Sequence, residues 1–362
     1  MAKRVYNFNA GPATLPLEVL QTIQEELLDF KGTGMSILES SHRAAAYEDV
    51  NNGAMALVKE ILGLGDNYKV LFLTGGASTQ FTMVPMNFLK EGQVGVYADT
   101  GVWSSKAVKE CNLVGKAQVV FSSKDIGYRR VPKKHEVVCP PNAAYLHITS
   151  NNTVWGSQYH EFPDPGAVPL ICDMSSDIAS RQIDYTKFAL IYAGAQKNLG
   201  PAGVTVVIIR DDLLAKIKPG LPTIFDYNTH AKENSLYNTP PVFAIYVVKL
   251  VLEWVKKQGG LKAIEKLNAA KKDAIYQLMD KYPEYYRGPI DKDSRSWMNI
   301  TLRLPNEDLE KKFIADAKTA GFVGLKGHRS VGGIRVSLYN AMPLEGAQKV
   351  ADFMETFKKA NP

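Results

Sequence analysis

Apolar residues recur at helical spacing near the start of the chain. Leu17, Leu20, Ile23, Leu27 and Phe30 share one face of a segment from Leu17 to Phe30, and Tyr47–Leu64 repeats the pattern. Two amphipathic helices are expected there. The texture then changes to short, almost continuously apolar runs at Val70–Thr74, Gln93–Ala98, Ala117–Phe121, Ala144–Thr149, Val168–Asp173, Phe188–Ala193 and Val204–Arg210. Several are separated by segments of helical length, such as Ser104–Asn112. Strands apolar on both faces, alternating with helices, belong to a sheet covered on both sides, so an α/β class with a mostly parallel, seven-stranded sheet is expected. From Pro240 to Tyr282 the pattern is helical, with a break at Gly259-Gly260. Beyond it come a strand at Trp297–Leu304, a helix at Glu307–Ala320, a glycine-rich turn, a strand at Gly333–Leu338 and a closing helix from Leu344. These compose a smaller α+β C-terminal domain attached by the long helices.

The length of 362 residues agrees with two cores rather than one. With 45% hydrophobic and 22% charged residues, the chain is neither disordered, collagen-like nor a membrane bundle. The 43 Lys+Arg exceed the 37 Asp+Glu by 6, and the excess is spread along the chain. That argues against nucleic acid as a partner and suits a small anionic substrate. Cys111, Cys139 and Cys172 form no CxxC and have no nearby His pair, so no metal site or disulfide framework is expected, and a reducing compartment fits. The N-terminus lacks the apolar core of a secretory signal, and Val242–Val255 is too short to span a bilayer and is interrupted by Lys249 and Glu253. The expectation is a cytoplasmic protein with no membrane partner.

The most informative segment is Ala193-Gly-Ala-Gln-Lys-Asn-Leu-Gly-Pro-Ala-Gly203, which sets Lys197 between an apolar strand and a glycine-rich turn. A lysine projecting from a strand end into the crevice of an open α/β sheet is desolvated, and the neutral amine can then form a Schiff base. An ordinary solvated loop lysine is the alternative. Asp173 ends the apolar run Val168-Pro-Leu-Ile-Cys-Asp173, where it could cap a helix or hold a proton on the ring nitrogen of pyridoxal phosphate. In Leu71-Phe-Leu-Thr-Gly-Gly-Ala-Ser-Thr-Gln80, two glycines open a helix, which is either a structural turn or a phosphate cradle. It matches neither a P-loop nor GxGxxG, which weighs against nucleotides and a dinucleotide-dependent oxidoreductase. Trp103 and Ser150-Asn-Asn-Thr153 follow further strands, so they too could line the crevice; Trp103 would stack on a planar ring unless it is core. Ser41-His-Arg43, Gly327-His-Arg329 and Arg335 are candidates for a multiply anionic substrate, since the planar arginine fork suits carboxylate and phosphate.

On these residues the sequence resembles the phosphoserine aminotransferases, fold-type I pyridoxal phosphate enzymes of the class V aminotransferases. The resemblance runs over the whole chain: Asn7-Phe-Asn-Ala-Gly-Pro-Ala13, Ser41-His-Arg43, the Gly-Gly-Ala turn, Trp103, Asn152-Thr153, Asp173, Gln196-Lys197-Asn198, Tyr237-Asn-Thr-Pro-Pro241 and Gly327-His-Arg329. It implies a fold-type I transferase with a large domain over residues 17–262 and a small one formed by 1–16 and 263–362. It implies transfer of the amino group of L-glutamate to 3-phosphohydroxypyruvate, giving O-phospho-L-serine and 2-oxoglutarate in serine biosynthesis, with the related phosphorylated acid of vitamin B6 synthesis as a second substrate. Lys197 would carry the cofactor, Asp173 hold its ring nitrogen, Trp103 stack on the ring and Thr153 bond the ring hydroxyl. Gly76, Ala77 and Gln196 would hold the cofactor phosphate with Asn238 and Thr239 from the second subunit of a homodimer. Arg335 would take the substrate carboxylate, and His42, Arg43, His328 and Arg329 would surround the substrate phosphate or the distal carboxylate of glutamate. Where some members have an arginine in the glycine-rich turn, this chain reads Ala77-Ser78-Thr79. An alanine–glyoxylate type of transaminase is the nearest alternative, and the paired His-Arg motifs argue against it. A cysteine desulfurase would need a mobile cysteine, which neither Cys111 nor Cys172 looks placed to be.

Overall fold

In the computed structural model, which describes residues 4–362, a short strand β1 (Tyr6–Asn7) precedes seven strands that share one sheet. These are β2 (Tyr68–Leu73), β3 (Val94–Asp99), β4 (Ala117–Ser122), β5 (Ala143–Thr149), β6 (Leu170–Asp173), β7 (Leu190–Gly194) and β8 (Thr205–Arg210). Their order across the sheet is β2-β8-β7-β6-β5-β3-β4. The five from β7 to β4 run parallel, whereas β8 lies antiparallel to both its neighbours. The sheet is therefore mostly parallel, as the apolar runs imply. β8 is reversed because the segment Ala195–Val204 that joins it to β7 holds no helix and is too short for a crossover.

Both faces are covered. Along β8, Val206 and Ile208 join a core completed by Val50 and Val58 of helix Ala45–Leu62 and by Val248, Val251 and Leu252 of helix Val242–Lys257. The alternate residues Val207 and Ile209 face the other way, against Phe81, Val84 and Phe88 of helix Gly76–Phe88 and Ala107 and Cys111 of helix Val102–Val114. A third core forms around the antiparallel pair of β9 (Asn299–Leu302) with β11 (Ile334–Ser337) and the parallel pair of β1 with β10 (Phe322–Val323). It gathers Phe8, Ile275, Leu278, Phe313, Val336, Met354 and Phe357. Helix Gly260–Lys281 touches two of these cores, with Leu261 on the first and Ile275, Leu278 and Met279 in the third. No helix among the described residues is long and apolar enough to cross a membrane.

Most element ends lie within a residue or two of expectation, and two differences have a visible cause. The first helix ends at Glu26, and Phe30 is buried instead by a turn in which Lys31, Gly32 and Gly34 take positive φ, setting its ring edge-on to Tyr246 at 5.4 Å. Of the apolar residues past the helix, Phe30 alone joins the core, while Leu27 and Leu28 are exposed. The strand expected from Val168 begins only at Leu170, after Pro169.

Candidate active site

Strand register builds the site. Thr149 of β5 pairs with Asp173 of β6, Asp173 with Tyr192 of β7, Gly194 with Thr205 of β8, and Thr205 with Leu73 of β2. The last residues of β2, β5, β6 and β7 therefore lie at one edge, and the loops that follow carry Gly75-Gly76, Thr153, Ser175 and Lys197. This is the crevice outside the carboxyl ends of the strands.

Lys197 stands at its centre, partly buried. Its Nζ donates to Thr153 Oγ1 at 2.6 Å and lies 5.9 Å from the centre of the Trp103 ring. Burial, with the positive charge of Arg335, pulls the amine down to about 8, against the opposing pull of the Asp173 and Asp177 carboxylates. The loop is packed from outside by the N-terminal segment. Ala13 N donates to the Gln196 carbonyl at 2.8 Å, and a Cβ on Gly11 would sit 3.3 Å from Lys197 Cγ.

Asp173 is 4% exposed, and burial raises its pKa even though Ser175 N donates to Oδ1 at 2.9 Å. It caps a turn rather than an α-helix, so the two roles open for it in the sequence are compatible. Ser175 Oγ also accepts from Gly194 N at 3.1 Å and ties the loop after β6 to the base of the lysine loop. Trp103 opens helix Val102–Val114 in a turn held by Ser104, whose hydroxyl donates to Asp99 Oδ1 at 2.9 Å. The Trp103 Nε1 is buried without a hydrogen-bond partner. Arg335, on β11, donates from Nη1 to the Thr153 carbonyl at 3.2 Å, while its Nε is buried and unpartnered.

Helix Gly76–Phe88 begins beside this crevice with no side-chain cap. Gly75 has φ +87°, and a Cβ there would lie 1.8 Å from Thr79 Oγ1, so only glycine lets the backbone pass under that hydroxyl. The amides of the first turn are left without a side-chain cap, an arrangement that suits an anion. These features fit a phosphorylated planar cofactor: a lysine shifted toward its neutral form, a buried carboxylate, an unpartnered indole and an uncapped glycine turn.

The remaining candidates are spread more widely. His328 is drawn below its usual value by burial and then by the charges of Arg335, Arg329 and Lys106, which groups it with the crevice. His42 has a buried, unpartnered Nε2, while Arg43 and Arg329 are exposed. Asn238 and Thr239 are exposed as well, and Asn238 lines a hollow of about 170 Å³ with Thr74, Gly75 and Thr79. Sequence reasoning missed Lys106, whose Nζ is 4.5 Å from the centre of the Trp103 ring, and Asp177, a buried carboxylate that accepts from Gln158 Nε2 at 3.0 Å and from Ser150 Oγ. An acid in the small-residue run Ser175-Ser176-Asp177 was the available signal for the second.

A crevice lysine on a loop between two strands, backed by a strand-end aspartate and faced by an indole, is the arrangement expected of a fold-type I pyridoxal phosphate enzyme. The family model described as Aminotransferase class-V matches residues 5–350. Among curated proteins, the chain is 56% identical to the phosphoserine aminotransferase of Niallia circulans over 360 residues, covering 99% of each. It is 57% identical to that of Geobacillus kaustophilus over 357 residues, again with 99% of each covered. The solved phosphoserine aminotransferase from Bacillus circulans subsp. alkalophilus superimposes with a TM-score of 0.97 at 56% identity and 99% coverage of both chains. The Trichomonas vaginalis phosphoserine aminotransferase, solved with PLP bound, superimposes at 0.92 and 37% identity, with 97% of this chain and 100% of the other covered. The chain belongs to the phosphoserine aminotransferase family of the class-V aminotransferases. An alanine–glyoxylate aminotransferase from Nostoc, at 15% identity and a TM-score of 0.75 over 99% of this chain and 96% of its own, shares the fold alone.

Proposed function

We propose that the chain moves the amino group of L-glutamate to 3-phosphohydroxypyruvate, yielding O-phospho-L-serine and 2-oxoglutarate, with pyridoxal phosphate as cofactor. The observation that carries the reading is Lys197: an amine held at about 8, bonded to Thr153 and facing Trp103 above a buried Asp173. When bound, the cofactor supplies an exchangeable carbonyl and an electron sink for the substrate α-carbon.

The residues divide the work. With its pKa near the working pH, Lys197 Nζ is available both to attach the cofactor and to move a proton to or from the substrate α-carbon. Asp173, in a low-dielectric pocket, holds a proton on the ring nitrogen. Trp103 would cover the ring and exclude water from it, and Thr153, which holds Lys197, would also bond the ring hydroxyl. The amides of Gly76 and Ala77, with Gln196, hold the cofactor phosphate. Arg335, with Nε free and Nη1 anchored to Thr153, receives the substrate carboxylate common to both acids. His42, Arg43, His328 and Arg329 receive the substrate phosphate or the distal carboxylate of glutamate.

The same reading makes the active unit a homodimer with shared sites, Asn238 and Thr239 completing the partner's phosphate cradle. Its support is the apolar surface one chain leaves open: Leu28 at 86% and Leu38 at 60% exposure, and Ile224, Phe225 and Tyr237 beside Asn238. We assign residues 17–262 to the large domain and 1–16 with 263–362 to the small one, consistent with the separate core around β9 and β11. Three unpaired cysteines agree with the cytoplasm. The test is glutamate-dependent amination of 3-phosphohydroxypyruvate against hydroxypyruvate, with the absorbance spectrum of the isolated protein. Strong preference for the phosphorylated acid and a visible or near-ultraviolet band are expected; equal rates would reject the substrate, and no band staying with the protein after unbound cofactor is removed would reject the site.

A further inference from the structure

Lys271 lies on helix Gly260–Lys281 with no exposed surface, and burial brings its amine down to about 7. A buried lysine is costly unless its donors are met, and here they are met without a carboxylate. Nζ donates to three consecutive carbonyls, those of Leu338 at 3.2 Å, Tyr339 at 2.7 Å and Asn340 at 3.5 Å. These three residues directly follow β11, the strand that carries Arg335.

The clamped tripeptide reaches both flanks of Lys197. Tyr339 OH donates to the Ala10 carbonyl at 2.8 Å, just before the glycine that packs on the Lys197 side chain. Asn340 N donates to Asn198 Oδ1 at 3.0 Å, next to Lys197 in the chain, and Asn340 Nδ2 donates to the Ala179 carbonyl at 2.9 Å. The same helix adds Asn268, whose Nδ2 donates to the Ser180 carbonyl at 2.8 Å and to Asn340 Oδ1 at 2.9 Å. One short segment thus ties the arginine strand to the lysine loop, and Lys271 gathers its carbonyls.

We propose that Lys271 is a positioning residue that fixes the separation of Arg335 from Lys197, and with it the distance between the bound carboxylate and the reacting amine. The inference rests on the carboxylate role proposed above for Arg335. Lys271 touches neither substrate nor cofactor; its effect passes through the turn at Leu338–Asn340.

The experiment compares the holoenzyme with Lys271→Met, Lys271→Gln, Arg335→Ala and the Lys271→Met/Arg335→Ala pair. Steady-state rates with glutamate are measured beside calorimetric binding of glutarate, an unreactive dicarboxylate. Lys271→Met should raise the glutamate KM and the glutarate Kd roughly tenfold, with a smaller fall in kcat, as expected when a binding group is misplaced by a fraction of an ångström. Lys271→Gln, which keeps an N–H donor, should recover part of the loss. If the methionine variant does not fold, the glutamine variant and its pair with Arg335→Ala carry the same comparison. Against Arg335→Ala, the second change should add nothing to KM. A melting temperature that falls while KM and Kd stay unchanged, or fully additive losses in the pair, would overturn the positioning role alone. An unchanged KM in Arg335→Ala would overturn the carboxylate reading and this inference together.

Discussion

The site lysine should destabilise the apoprotein that it equips for chemistry. Lys197 falls from the usual 10.5 to about 8, chiefly by burial. In the folded chain the ammonium is disfavoured relative to the unfolded chain, so its cost is fully present below about 8 and vanishes above about 10.5. The fall corresponds to about 3.4 kcal/mol at about 1.36 kcal/mol per pH unit, and solvent at this partly buried side chain screens it to about 2 kcal/mol. Lys197→Met removes that cost and leaves Thr153 Oγ1 without its partner, a loss of about 1 kcal/mol. At about pH 7 the variant apoprotein should be the more stable by about 1 kcal/mol; near pH 10.5 the wild type should lead by about the same amount. Urea unfolding of both cofactor-free proteins across this range reads the difference directly, and titrating groups that do not interact with Lys197 cancel in it. A difference that stays flat with pH would mean that Lys197 is charged and solvated in the folded chain, and the argument for a ready amine would fail with it.

Gly75→Ala forces a methyl group onto Thr79 Oγ1 at a positive φ, so cofactor affinity measured by equilibrium dialysis should fall roughly tenfold or more; unchanged affinity would move the phosphate away from this turn. Asp173→Asn should keep the fold and the cofactor yet reduce kcat by about a hundredfold or more, because a neutral amide cannot hold the ring proton, whereas near-normal turnover would leave Asp173 as a turn cap only. Mixing Lys197→Ala with an Asn238→Asp/Thr239→Asp variant should restore part of the activity through heterodimers with one intact site. No recovery after demonstrated subunit exchange would count against shared sites.

Elements whose period follows burial were readable from the chain. The seven apolar runs, the long helices on either side of Gly259-Gly260 and the second α+β unit all appear near their expected limits, because the inner strands are buried on both faces and carry unbroken apolar stretches; the edge strand β4 is half-exposed. The reversal of β8 was not readable by periodicity, since Val206 and Ile208 alternate with Val207 and Ile209 identically in either direction. Only the length of the lysine loop encodes it. The same loop fixes the chemistry: a crossover helix after β7 would carry the chain away from the sheet edge, whereas the direct return holds Lys197 over Asp173 and Thr153.

Asp177 and Lys271, which sequence reasoning missed, depend on partners distant in the chain, whereas Lys106 packs on Trp103 only three residues before it. Asp177 stands four residues from Asp173, yet its partner Gln158 lies 19 residues earlier in the chain. Lys271 would pass for a surface lysine on an amphipathic helix, and only the turn after β11, some seventy residues later, shows that its N–H donors are spent on backbone carbonyls. Arg335 was singled out because a guanidinium suits an anion. On the proposed reading, what would hold it at the right distance from Lys197 is a set of backbone carbonyls, which carry no residue identity, so the amino-acid sequence would specify the binding group in its letters and the spacing only through the fold.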